Sequence, residues 1–198
     1  MSGPTGRPPE PPAPSARERI LETAYELFSR HGTRAVGVDT VIAESGVAKM
    51  TLYRNFRSKD ELILAFLARR EERWTRDWLQ AEALRRGSTP AQQLLAIFDT
   101  FGEWFAREDF EGCAFITILL ELSDREDPIR RSAVTHLANI REIVGELARQ
   151  AGVEDADDFS RKWHILMKGS IVAATEGDRD AAARARELGA LLLEAATG

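Results

Sequence analysis

Cysteine occurs once in these 198 residues, as Cys113. A single thiol excludes an internal disulfide framework and is ordinary for a reducing compartment. No apolar run reaches the roughly 18 residues that a membrane-spanning helix needs. The first residues, MSGPTGRPPEPPAPSA, lack the apolar stretch of a secretory signal. A cytoplasmic protein without a membrane partner is therefore expected. Histidine is scarce as well: His31, His136 and His164 stand far apart, with no ligand spacing around them. Neither a metal nor a cofactor is expected from that pattern. Strand-like alternation, a Gly-rich phosphate loop, internal repeats and a visible nucleophile–base pair are all missing, which argues against an enzyme.

What the chain has in quantity is helical periodicity. Hydrophobic residues make up 43% and charged residues 30%, enough for a sizeable core. Residues 1–15 hold six prolines and two glycines and read as a disordered arm. Ile20, Leu21, Ala24, Leu27 and Phe28 then share one face of a helix that His31 and Gly32 should close, Gly32 in a left-handed position. Two short helices, over about 38–45 and 49–56, flank the turn Ser45-Gly46-Val47. Ser58 with Glu61 forms a capping box for a long helix running to about Arg86. Thr89-Pro90 opens the next helix, to about Arg107. Glu111 to Leu122, apolar nearly all round, predicts a buried central helix. Asp127-Pro128 starts another long helix, and two more follow over about 159–176 and 180–196. The fold class is all-α.

Charge is unevenly spread over this pattern. The net charge is −5, yet residues 1–60 hold nine Lys/Arg against seven Asp/Glu, and the rest of the chain 18 against 25. Between Arg30 and Lys59 six basic residues face only Asp39 and Glu44. Such an excess can meet phosphate even on an acidic chain. Two short helices joined by a glycine turn and braced by a third give a helix-turn-helix, whose second helix can enter the DNA major groove. Leu52 and Phe56, four apart, point to the core. Lys49, Met50, Thr51, Tyr53, Arg54 and Asn55 are left for the outer face. Arg and Lys can donate to guanine or phosphate, Asn can pair with adenine, and Met or a Thr methyl can touch thymine. A helical hairpin with a solvated polar face fits the spacing equally well.

The stretch GVAKMTLYRNFRSKDEL, Gly46 to Leu62, separates these readings. It resembles the N-terminal signature of the tetracycline-repressor (TetR) family of transcriptional regulators at Gly46, Val47, Ala48, Thr51, Leu52, Tyr53, Phe56, Lys59 and Leu62. The resemblance covers about residues 17–67 and includes AYELFSRHG, Ala24 to Gly32. It implies a three-helix DNA-binding domain over 16–62, joined by the long helix to a helical effector-binding and dimerisation domain over 63–198. Tyr53 and Lys59 are then implied phosphate contacts, Lys59 aided by the positive end of a helix dipole. Lys49, Met50, Thr51, Arg54 and Asn55 approach bases or backbone. Gly37 and Ala48 depart from the family, which usually carries Ser or Thr caps there; Gly37 keeps only its backbone N–H for phosphate.

The same resemblance implies a homodimer on a double-stranded operator, most often a repressor released by a small-molecule effector. The last two helices would form the dimer interface, through Gly169, Val172 and Ala173 on one and Leu188, Leu192 and Ala195 on the other. The effector pocket would draw on the aromatics Trp74, Trp78, Phe98, Phe101, Trp104, Phe105 and Trp163. Cys113, Thr117 and Glu121 are further candidates, and His136, Asn139 and His164 could orient a ligand. Each aromatic could equally be core. Cys113 has no basic neighbour in sequence that would make it a reactive thiolate. A helical ligand-binding module that has lost DNA recognition is the alternative.

Overall fold

The computed structural model describes residues 13–198, so the proline-rich arm lies outside it except for Ala13 to Ser15. Ser15 Oγ accepts from the Glu18 N–H at 3.1 Å and starts α1 (Ala16–Ala35). The periodic apolar face of α1 buries Ile20, Leu21, Ala24 and Phe28. Gly32 has positive φ as expected, but at φ 77°, ψ 158° it is not a left-handed cap. The extended ψ kinks the chain there and turns Thr33 and Val36 inward. α2 (Val38–Ser45) and α3 (Lys49–Asn55) follow, with Val41 and Leu52 as their buried anchors.

Helix α4 (Lys59–Arg70) begins at Ser58, whose Oγ accepts from the Glu61 N–H at 3.1 Å. The reciprocal bond differs from a full capping box: Glu61 takes the Arg57 N–H at 2.8 Å, one residue earlier. Phe66 on α4 meets Phe28 edge-on at 5.5 Å and Tyr25 at 5.6 Å, closing the three-helix unit. The predicted single helix to Arg86 is continuous but not uniform. Glu71–Gln80 is wound as a π-helix before α-helical geometry returns in α5 (Ala81–Arg86). The Ala81 N–H accordingly reaches back to the Arg76 carbonyl, five residues away.

The second unit is built from α6 (Pro90–Phe105), α7 (Ala114–Glu121), α8 (Pro128–Gln150), α9 (Ala156–Thr175) and α10 (Ala181–Thr197). Thr89 and Asp127 cap α6 and α8 as their sequences predict, each with proline at the first helical position. The 111–122 segment is not a buried central helix. Gly112, at φ 78°, delays helix formation to Ala114. Eight residues then place Phe115 and Ile118 inside, while Leu120 is 77% exposed. α6, α8 and α9 occupy the centre instead. There Phe98 lies 5.1 Å from Trp163, which stacks on Phe159 at 5.3 Å. α10 approaches this group so closely that a Cβ on Gly189 would sit 2.9 Å from Phe98 Cε2 and 3.0 Å from the Trp163 ring.

His164 follows Trp163 into the interior and is 2% exposed, its Nδ1 without a partner among the described residues. Burial, reinforced by the Lys168 and Arg141 charges, holds its pKa at about 3 against the ordinary 6.5. The folded state therefore resists a proton that the unfolded chain accepts. Stability from this group is complete above pH 6.5 and declines as pH falls toward 3. At pH 5 the loss amounts to roughly 2 kcal/mol. His164→Leu, which cannot protonate, should show that much less destabilisation between pH 7 and pH 5 in urea unfolding. Equal losses in both proteins would reject the assignment.

Candidate nucleic-acid interface

The turn between α2 and α3 rests on Gly46, which adopts φ 65°, ψ 25° and donates its N–H to the Ala43 carbonyl at 3.4 Å. A left-handed residue at this point favours glycine because it carries no Cβ. From there α3 lies with Leu52 and Phe56 turned inward, both almost fully buried. The Arg17 guanidinium sits 4.6 Å above the Phe56 ring and covers it from the α1 side.

The opposite edge of α3 is open. Met50 is 65% exposed and Tyr53 41%, with Lys49 and Arg54 exposed beside them. Thr51 and Asn55 are half-buried, and Asn55 Nδ2 donates to the Thr51 carbonyl at 2.8 Å, inside the same helix. An asparagine held this way must give up that bond before it can reach a base. Lys49 Nζ stands 3.6 Å from Asp39 Oδ1, but both groups are largely exposed, so the pair constrains little. Lys59, half-buried, occupies the first position of α4, next to exposed Arg57. All the predicted α3 residues thus lie along one stretch, with Lys59 at the adjoining helix start.

Neither Gly37, the N-cap of α2, nor Ala48, the N-cap of α3, supplies a side-chain cap. A Cβ added at Gly37 would meet nothing nearer than Thr40 Oγ1 at 3.9 Å, so a capping residue would fit there. Arg17 is a support of α3 that sequence reasoning missed. Its placement depends on a contact with Phe56, 39 residues away, and carries no local signal.

A second set of contacts ties this unit to the remainder of the chain. Arg69 binds Glu18 through two bonds, at 2.7 and 3.0 Å, and Arg73 binds Glu22 through two more, both at 2.7 Å. Bonds from the arginines hold both carboxyls below their ordinary pKa. Further along, Glu71 accepts from Asn139 Nδ2 at 2.7 Å and pairs with His136 Nδ1, binding the π-helical stretch to α8. His136 also stacks on Phe115 at 5.1 Å. His136 and Asn139 are thus occupied structurally.

The predicted pocket residues divide into three groups. Trp74, Trp78 and Trp104 line a cleft of about 350 Å³ between α1 and the π-helical stretch. Thr117 and Glu121 line an adjoining cleft of about 210 Å³. Phe98, Phe101 and Trp163 line neither; they are core, fully buried against one another. Phe105 and Cys113 also lie away from both clefts. Phe105 packs on Phe101 and Trp104, and burial pushes the Cys113 thiol above its usual pKa. On the outer side of α9 and α10, Gly169, Val172, Leu188 and Ala195 are exposed, whereas Ala173 and Leu192 are half-buried. Ile165, 64% exposed, joins them.

Residues 20–66 match the family model for bacterial regulatory proteins of the tetR family, and residues 90–188 match that for the tetracyclin repressor-like C-terminal domain. The HTH-type transcriptional regulator LmrA of Bacillus subtilis is 25% identical over 160 residues, 79% of this chain and 85% of that protein. The HTH-type transcriptional activator FasR of Mycolicibacterium smegmatis is 34% identical over 105 residues, 53% of this chain and 47% of that protein. Among solved structures, SCO4454, a TetR-family transcriptional regulator from Streptomyces coelicolor, superposes with a TM-score of 0.83 at 29% identity, covering 92% of this chain and 96% of that one.

Proposed function

The chain belongs to the tetR family of bacterial transcriptional regulators and carries that family's DNA-binding helix-turn-helix, and from that premise we propose a homodimeric cytoplasmic repressor that leaves its operator when a small molecule binds the C-terminal domain. The observation that carries the DNA half of this reading is the open edge of α3, where Lys49, Met50, Tyr53 and Arg54 face outward and are exposed among the described residues. Pairing through α9 and α10 would present two such edges to half-sites about one helical turn, ~34–36 Å, or a multiple apart. Tyr53, Lys59 and the Gly37 N–H would grip phosphate. Lys49, Met50, Thr51, Arg54 and Asn55 would meet base edges or backbone.

Release follows from the mechanical connection. The rungs Glu18–Arg69 and Glu22–Arg73 join α1 to the long helix, so displacement of that helix carries the DNA-binding unit with it. An effector that prefers the displaced conformer lowers operator affinity by its differential affinity for the two states. The uncapped helix starts at Gly37 and Ala48 favour one competing reading, a ligand-binding module without DNA recognition. Titrating the protein with DNA from around its own gene separates the two.

Lys59→Ala should weaken binding to all sequences alike and reduce the salt dependence, log K against log[salt], by about one unit. Substituting Arg54 should change sequence preference instead. Fluorescence anisotropy over a salt series measures both. An unaltered salt slope in the Lys59 variant removes it from the phosphate contacts.

A further inference from the structure

We propose that the cleft between α1 and the π-helical stretch binds a planar aromatic acid, with the ring among the indoles of Trp74, Trp78 and Trp104 and the acid group on Arg70. Three observations converge. The cleft encloses about 350 Å³, the scale of a small-ligand site and room for one or two fused rings. Its apolar wall is a triangle of indoles, with ring centroids 5.4 Å apart for Trp74–Trp78, 5.0 Å for Trp74–Trp104 and 6.0 Å for Trp78–Trp104. Trp74 and Trp104 are largely buried against each other, so a flat ring would meet half-buried Trp78 and the edges of the other two, in offset or edge-on contact.

The third observation is the state of Arg70. It lines this cleft and the adjoining one, and it is half-buried. Its Nη1 donates to neutral hydroxyls, Tyr25 Oη at 3.4 Å and Ser29 Oγ at 3.2 Å, and its guanidinium lies 5.8 Å from the Tyr25 ring centroid. Among the described residues no carboxylate lies within ion-pair distance of it. The neighbouring arginines differ: Arg69 and Arg73 are matched by Glu18 and Glu22, and Arg107 by Asp109 at 2.7 Å. A guanidinium drawn partly out of water without an anion is costly, and it favours a ligand that brings one. Its fork accepts a carboxylate through two parallel bonds.

Other charges face the cleft. Glu26 and Arg30 lie on its exposed rim, and Asp109 is tied to Arg107. Glu111 stands across from Arg70, and burial lifts its carboxyl above the ordinary range despite Arg30, His31 and Arg70 nearby. Tyr25 and Ser29 come from α1, so a ligand here touches the DNA-binding unit and the long helix at once. The link from occupancy to operator release rests on the function proposed above; the site itself does not.

The test uses the full chain without DNA, with 2-naphthoate as probe and 2-naphthamide as its uncharged counterpart, followed by tryptophan fluorescence and calorimetry. Expected are saturable quenching by the acid and at least tenfold weaker binding of the amide. Arg70→Met should bring the acid down to the amide's affinity, and Arg70→Lys should keep part of the preference. Equal affinity of acid and amide for the unaltered protein, a comparison that needs no variant, overturns the proposal. So does the absence of binding by the acid at about 1 mM, a dissociation constant worth only ~4 kcal/mol. So too does an acid preference that survives Arg70→Met. Operator affinity, measured separately with and without the acid, reports only on the effector reading, because a bound acid that leaves DNA binding unaltered would refute release and leave the site intact.

Discussion

Glu71→Ala is expected to lower the unfolding free energy by about 1–3 kcal/mol, the penalty for leaving buried hydrogen-bonding groups without a partner. The Glu71 side chain is 12% exposed and His136 opposite it 11%. One carboxylate oxygen accepts from Asn139 at 2.7 Å and from Arg76 at 3.2 Å, while the other pairs with His136. Truncation would strand the amide and the imidazole in a region with little water, the penalty that exceeds the worth of the bonds themselves. Burial alone would raise the Glu71 pKa, but the bonds from Asn139 and His136 outweigh it and the carboxyl is held low. A depressed carboxyl contributes stability above its unfolded value of 4.5, lost as pH falls through the folded one. The acid limb of unfolding should therefore be shallower in Glu71→Gln, which keeps the shape and one acceptor. Urea unfolding of the two variants at pH 7 measures the rest. A loss below ~1 kcal/mol for the alanine variant would mean that α8 does not depend on this contact.

In the dimer proposed above, Leu188→Arg combined with Leu191→Arg should yield a monomer and reduce operator affinity by about 10²–10⁴, the gain that linking two binding events supplies. On α10 these leucines are 53% and 62% exposed, and on α9 Ile165 and Val172 are 64% and 44% exposed. Four large apolar side chains on two adjacent helices form the kind of patch that marks a protein-binding face. Surface substitutions away from packed groups cost a monomer little, usually within ~0.5 kcal/mol. A well-folded double variant is therefore the informative reagent. Sedimentation and anisotropy decide together: a variant that stays dimeric and binds DNA normally places the interface elsewhere.

The sequence made the helices legible because their signals are local. Thr89-Pro90 and Asp127-Pro128 set helix starts without help from the remaining chain, and the Ile20–Phe28 periodicity marked a face that is buried in the fold. The edge of α3 was legible for the same reason: seven residues with Leu52 buried fix where the others point. The C-terminal aromatics were not. Whether a tryptophan lines a cleft or fills the core depends on which helices meet over it. So Trp74 and Trp104, though largely buried, reach the wall of a cleft, while Trp163 on α9 is sealed under α10. The rungs between α1 and the long helix were half-visible. Glu18 and Glu22 are four apart, as are Arg69 and Arg73, and equal spacing on two helices is a pairing signal that only the three-dimensional partner identifies.

The change of winding in the long helix bears on how the chain tolerates length variation. Hydrogen bonds that skip five residues advance fewer degrees per residue than those that skip four. Everything after Gln80 therefore emerges at an angle that a uniform helix continuing α4 would not give it. Removing one residue between Glu71 and Gln80 would let the standard pitch return, at the expense of rotating α5 and the attachments of α6 about the shared axis. In this span a one-residue deletion thus becomes a reorientation of one half of the molecule against the other, whereas the same deletion in a surface loop would be absorbed where it occurred.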